Sequence, residues 1–149
     1  MTTMTEQATQ VYSVFIRATP EQVWDGITKP DFTTRYFHGT RIDSTLEPGA
    51  PYLSVAGEDT VVEGEILESD PPRLLKHTWH PLFDPEQAGE PFSRVTWEIE
   101  PQDGGVTKLT VTHDQLESSP KTAESVAGGW SFVLSGLKTL LETGEPLQG

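Results

Sequence analysis

The sequence predicts an α+β fold: one strand, two short helices, an antiparallel run that brings the sheet to about seven strands, and one long C-terminal helix. Three observations carry this. A helix start is written into Ala18-Thr19-Pro20-Glu21-Gln22-Val23-Trp24, directly after a strand. From Arg41 to Leu116 apolar residues recur with period two between turn signals. From Val126 to Leu141 they recur at threes and fours over the length of one long helix.

Val11 to Ala18 reads as the first strand, with Tyr12, Val14 and Ile16 on one face and Ser13 and Arg17 on the other. Thr19 is placed to cap the helix that follows, with Gln22 returning the bond and Pro20 at the first helical position, where its missing N–H costs nothing. This helix stops before Pro30. A second short helix is expected from Asp31 to about His38, ending at Gly39, because Phe32, Tyr36 and Phe37 recur at helical spacing.

Punctuation at Pro48-Gly49, Gly57, Pro71-Pro72 and Asp103-Gly104-Gly105 divides the meander into strands at Arg41–Glu47, Tyr52–Ala56, Val61–Ser69, Leu74–His80, Ser93–Pro101 and Val106–Asp114. The last two alternate most cleanly: Val95, Trp97 and Ile99 share one face, and Leu109, Val111 and His113 answer them across the turn. Between Pro81 and Phe92 lies an irregular loop, read as a surface connection with a lid as the alternative. Ser119 is expected to cap the final helix, with Pro120 at its first position and Gly144 as its stop. At about 1.5 Å per residue this helix is long enough to cross a small sheet. Gly128-Gly129 inside it weakens it by about 1 kcal/mol per glycine, which a close approach to a strand, or a bend, would explain.

Composition narrows the function. The 149 residues fit one domain, expected over residues 11–144, with flexible tails at 1–10 and 145–149. With no cysteine, disulfides, thiolate zinc sites and cysteine nucleophiles are excluded. A formal charge of −13 repels phosphate backbones and anionic lipid surfaces, so nucleic acid is not an expected partner. No run approaches the roughly 20 apolar residues of a membrane span. The polar start, Met1 to Gln10, has no signal-peptide pattern, and a cytoplasmic location is expected.

The element order and several local motifs resemble one known family, the activator of heat-shock-protein-90 ATPase homologues, within the START-like (SRPBCC) superfamily. The motifs are Ala18 to Trp24, Thr28-Lys29-Pro30 with Tyr36-Phe37, Asp70-Pro71-Pro72-Arg73-Leu74-Leu75 leading to Thr78-Trp79, and Gly129-Trp130 with Leu134, Leu137 and Leu141. The resemblance implies the helix-grip (START-like, Bet v-like) fold, a curved antiparallel sheet wrapped around the C-terminal helix. It also implies an apolar cavity of the kind that holds lipids, hormones or polyketides, and some members of the superfamily are cyclases or aromatases.

Strand parity then nominates residues. Leu75, His77 and Trp79 should face the helix together with Trp97 and His113, leaving Lys76, Thr78 and His80 to the other face. Tyr36, Phe37 and Tyr52 are expected at the cavity mouth, opposite Trp130, Leu134 and Leu137, which complete the candidate ligand-binding set. Inward histidines can pass protons, but we read both as buried neutral imidazoles with internal partners. His77 and His80 fall on opposite faces and cannot share one ion, and neither a metal nor a cofactor is expected. Glu63/Glu65 and Glu98/Glu100 belong to a solvated face. There is no Gly-x-Ser-x-Gly elbow, phosphate loop or dinucleotide fingerprint. The favoured function is non-catalytic binding of a small apolar or aromatic molecule between sheet and helix. The alternatives are a protein-interaction module, chaperone-related, or an enzyme of the polyketide cyclase type using His77, His113, Tyr52 or Tyr36.

Overall fold

A computed structural model describes residues 8–147. The chain runs β1 (Gln10–Ile16), α1 (Pro20–Thr28), α2 (Pro30–Tyr36), β2 (Arg41–Asp43), β3 (Pro51–Ala56), β4 (Asp59–Asp70), β5 (Leu74–Pro81), α3 (Pro85–Ala88), β6 (Ser93–Pro101), β7 (Thr107–Asp114) and α4 (Pro120–Thr143). The strands form one antiparallel seven-stranded sheet in the order β1-β7-β6-β5-β4-β3-β2, so every pairing joins chain neighbours except that of β1 with β7.

The α1 start forms as the sequence dictates. Gln22 N–H donates to Thr19 Oγ1 at 3.1 Å, and Thr19 N–H donates to Gln22 Oε1 at 2.8 Å, a reciprocal capping box. Lys29 alone separates α1 from α2, its extended backbone forced by the proline that follows. The α2 helix ends at Tyr36, earlier than expected, because Phe37 leaves helical geometry and His38 and Gly39 adopt positive φ (54° and 70°). The expected strand Arg41–Glu47 is reduced to three residues, and Leu46, at φ 66°, turns the chain toward β3.

Period-two patterning is clearest in β5, β6 and β7. Leu75, His77 and Trp79 alternate with half-exposed neighbours, Val95, Trp97 and Ile99 do the same, and Leu109, Val111 and His113 follow. His77 sits opposite Val95, which pairs in turn with His113 on the far strand. All these inward side chains belong to the buried layer between sheet and helices. Outside, Arg94 grips Asp114 with two bonds, 2.9 and 2.6 Å, across β6 and β7.

The α4 helix lies along the sheet and is tied to β1 at its C-terminal end, where Arg17 N–H donates to Glu142 and Lys138 Nζ donates to the Phe15 carbonyl. Its close approaches are to α1 and α2. A Cβ placed on Gly136 would stand 3.2 Å from Tyr36 Cβ, and one on Gly26 would stand 2.8 Å from Leu137 Cδ1. The pair Gly128-Gly129 makes no such approach: nothing lies within 4 Å of a Cβ at either position, so crowding is not the reason for these glycines.

Ser119 does not cap α4 with its side chain, which donates instead to the Pro91 carbonyl at 2.9 Å. The free amides of Lys121 and Thr122 are taken by the two carboxylate oxygens of Glu90, each at 2.8 Å. The loop expected to be irregular contains α3, capped by Asp84 through the Glu86 N–H, and Glu90 fastens this loop to the long helix. Residues 8–10, expected in the N-terminal tail, join the fold: Gln10 opens β1 and donates from its side chain to the Ala123 carbonyl. The remainder of that tail and residues 148–149 lie outside the described residues. Among the described residues no helix is long and apolar enough to cross a membrane.

Candidate functional site

Between the N-terminal half of α4 and strands β3 to β5 the protein encloses a half-open cavity of about 430 Å³. Val126, Gly129, Trp130 and Val133 form the helix wall, and Ala56, Val61, Val62 and Trp79 form the sheet wall. Phe37 and His38, just past the end of α2, and Phe83 and Gln87, from the 82–92 loop, also line the cavity. Its size falls within the range of roughly 300 to 1,000 Å³ usual for small-molecule sites. The wall carries no Lys, Arg, Asp or Glu, and its polar groups are those of Thr40, Ser54, Gln87, Ser125 and His38.

The helix wall explains Gly129, while Gly128 lies outside the lining. With nothing near a Cβ at position 129 and Gly129 in the lining, the missing side chain leaves room in the cavity. The cost to helix propensity maintains an opening rather than a contact. Phe83 stays exposed at the rim, and the His38 ring stacks on exposed Phe132 with centroids 6.4 Å apart.

Of the ten sequence-nominated residues, Phe37, Trp79 and Trp130 line this cavity. The other seven lie in the packed layer behind it, all buried. Tyr36 donates its hydroxyl to the Gly26 carbonyl at 2.7 Å, anchoring α2 to α1. Tyr52 stacks on His77 with centroids 3.7 Å apart. Leu134 and Leu137 belong to the core cluster with Trp97. Parity gave the correct face for the strand residues, and depth beneath that face decides which of them reach the opening.

The two inward histidines are held by matched tryptophans. Trp97 Nε1 donates to His77 Nε2 at 3.0 Å, and since an indole only donates, the proton of His77 sits on Nδ1 and points to the Thr78 carbonyl at 2.9 Å. Trp130 Nε1 donates to His113 Nδ1 at 3.0 Å, so His113 donates from Nε2 to Ser93 Oγ at 2.7 Å. Both rings are neutral and fully engaged. Burial pulls the pKa of His77 down from 6.5 to about 4 and that of His113 to about 3, the latter also disfavoured by the neighbouring His77. Burial likewise pushes the Tyr36 and Tyr52 phenols upward. His80 points to the other face, where Nδ1 meets Glu63 at 2.8 Å. Among the described residues no group of three or more His, Asp or Glu side chains is placed to hold a metal ion.

Gln87 was missed from sequence. The signal was present in Asp84-Pro85, a cap followed by proline at the first helical position, but a four-residue helix shows no periodicity to support it.

This architecture, a curved sheet gripping a long C-terminal helix around an apolar cavity, can be compared with known proteins. The sequence model of the family described as Activator of Hsp90 ATPase homolog 1-like protein matches residues 17–142. The chain belongs to this family. Among solved structures of the same helix-grip fold, CalU16 from Micromonospora echinospora is 23% identical, with a TM-score of 0.70 over 91% of this chain and 77% of that one. DynU16, from the dynemicin biosynthetic locus, is 22% identical, with a TM-score of 0.77 over 93% of this chain and 49% of that one. PFC0360w, an HSP90 activator from Plasmodium falciparum, is 21% identical, with a TM-score of 0.72 over 93% of this chain and 98% of that one. No curated protein matches by sequence.

Proposed function

We propose that this member of the family binds a small, largely apolar molecule, non-covalently and without transforming it, in the cavity between α4 and the sheet. The observation that carries the reading is the opening itself: about 430 Å³ walled by aliphatic and aromatic side chains, kept clear by a glycine whose Cβ would meet nothing. A packed core would have filled it. The neighbour from a biosynthetic locus for dynemicin fits a fold used around small molecules. His77 and His113 do not line the cavity, and both ring nitrogens of each are engaged in the core, so a proton-transfer role is not assigned to them.

A second reading, an Hsp90-directed interaction module, is supported by the family description and by the Plasmodium neighbour. The test that separates the two uses Trp79 and Trp130 as reporters in the wall. Apolar aromatic and fatty-chain molecules should change tryptophan fluorescence saturably in the wild type, and Gly129→Leu should abolish the effect while leaving the fold intact. Equal binding by Gly129→Leu would overturn the cavity reading, and stimulation of an Hsp90 ATPase by both proteins would favour the second.

A further inference from the structure

His80 touches the loop that brings Phe83 and Gln87 to the cavity wall, and both of its ring nitrogens meet oxygen. Nδ1 lies 2.8 Å from Oε2 of Glu63, the residue opposite it on β4, and Nε2 lies 2.9 Å from the carbonyl of Ala88, the last residue of α3. A carbonyl only accepts, and so does an ionised carboxylate. A neutral imidazole carries one N–H and can make one of these bonds but not both, whereas the doubly protonated ring makes both. Reversing the ring would set carbon against each oxygen.

The surroundings favour the cation. The ring lies nearly parallel on Phe92, with centroids 4.3 Å and planes 19° apart, and an aromatic face attracts positive charge. Among the described residues no Lys or Arg pairs with Glu63. Glu65 is the next residue of the same parity on β4, and Arg94 on β6 is gripped by Asp114. On the loop, Asp84 accepts from the Gln87 amide, Glu86 pairs with Lys121, and Glu90 holds the first amides of α4.

We infer that His80 is a proton-controlled latch on the cavity wall, joining β4 to α3 through Glu63 and Ala88 when protonated and letting Ala88 go when neutral. The bond to the carboxylate is the stronger of the two, so the neutral ring keeps its remaining proton on Nδ1, and Nε2 then presents a lone pair to the Ala88 carbonyl. Glu90 still fastens its end of the loop to α4, so the loosened part is the segment that carries Phe83 and Gln87. Acid tightens this latch, a sign opposite to that of His77 and His113, whose rings are neutral in the fold. The latch stands on these contacts alone, and its effect on a ligand rests on the cavity-binding reading above.

Because the effect is local, amide exchange reads it. Protection factors of the Leu82 and Ala88 amides, referenced to those of β7, should fall by about threefold to tenfold between pH 6 and pH 8, the worth of one hydrogen bond. Glu63→Gln should remove that fall: its amide can donate to Nδ1, so a neutral ring with its proton on Nε2 makes both bonds and the loop stays fastened at pH 8. His80→Gln, which has no titrating ring, should also be flat. Dissociation of N-phenyl-1-naphthylamine, a neutral fluorescent probe, should speed up over the same range in the wild type and not in Glu63→Gln. Flat protection in the wild type, or the same fall in Glu63→Gln, would overturn the latch. The expected protection with an unchanged dissociation rate would overturn its coupling to the cavity, and failure of the probe to bind the wild type would count against the cavity reading while exchange still decides the latch.

Discussion

Lowering the pH from 7 to 5 should destabilise this protein by about 4 kcal/mol through two residues alone. His77 and His113 are neutral in the fold, with pKa values brought down to about 4 and about 3, whereas in the unfolded chain both titrate near 6.5. A pH of 5 lies roughly one and a half units below that value, so at about 1.4 kcal/mol per unit each unfolded imidazole gains about 2 kcal/mol from protonation. The native rings gain almost nothing. Stability is therefore complete above about pH 6.5, falls as the pH drops through that value, and stops falling on this account only near the native pKa values. Against a typical total of about 5–15 kcal/mol the loss is large. Urea unfolding at pH 7, 6 and 5, followed by tryptophan fluorescence and far-UV circular dichroism, reads it directly. Surface carboxylates also titrate at the low end, so the decisive comparison is the slope. In His113→Gln, whose amide can still accept from Trp130, the pH dependence between 6.5 and 5 should be about half that of the wild type, whatever its absolute stability. Equal stability at pH 7 and 5, or a folded-state imidazole signal of His77 or His113 that titrates near 6.5, would refute the reasoning.

Other substitutions probe separate parts of the structure. Gly128→Ala should stabilise the protein by about 1 kcal/mol and preserve ligand binding, because the position is exposed and open, and thermal unfolding with a binding titration checks both. Glu90→Ala should cost about 1–2 kcal/mol in denaturant unfolding, since it frees the Lys121 and Thr122 amides at the start of α4. It should also speed amide exchange across residues 82–92. Trp97→Phe should cost at least about 1–3 kcal/mol, leaving His77 Nε2 without its donor in a fully buried place, and equilibrium unfolding at pH 7 would show it.

Local signals in the sequence were legible where the physics is local. The Thr19/Gln22 box needs four consecutive residues and forms as expected, and the parity of β5, β6 and β7 puts Trp97, His77 and His113 inside. What was not legible depends on distant partners. Ser119 has the composition of a cap, yet Glu90, far back in the chain, reaches the same amides with a full charge and displaces it. Gly128-Gly129 announces the absence of side chains, which is equally compatible with a neighbour pressed close and with open space, and only the packed structure shows the latter. Tyr52, His77 and Trp97 were assigned to the cavity because parity sorts residues by face. Their depth in the layer depends on the stacking of Tyr52 on His77 and on the Trp97 hydrogen bond, contacts between strands that no single segment encodes.

The claim on which the account turns is that the space beside Gly129 is a binding site. Native mass spectrometry of the wild type and of Gly129→Leu, each purified gently from the protein's own host, tests it most directly. The account predicts one small neutral molecule per 16.4 kDa chain in the wild type, released on denaturation, and bare protein in the variant. Bare protein in both, or the same adduct retained by Gly129→Leu, would contradict it.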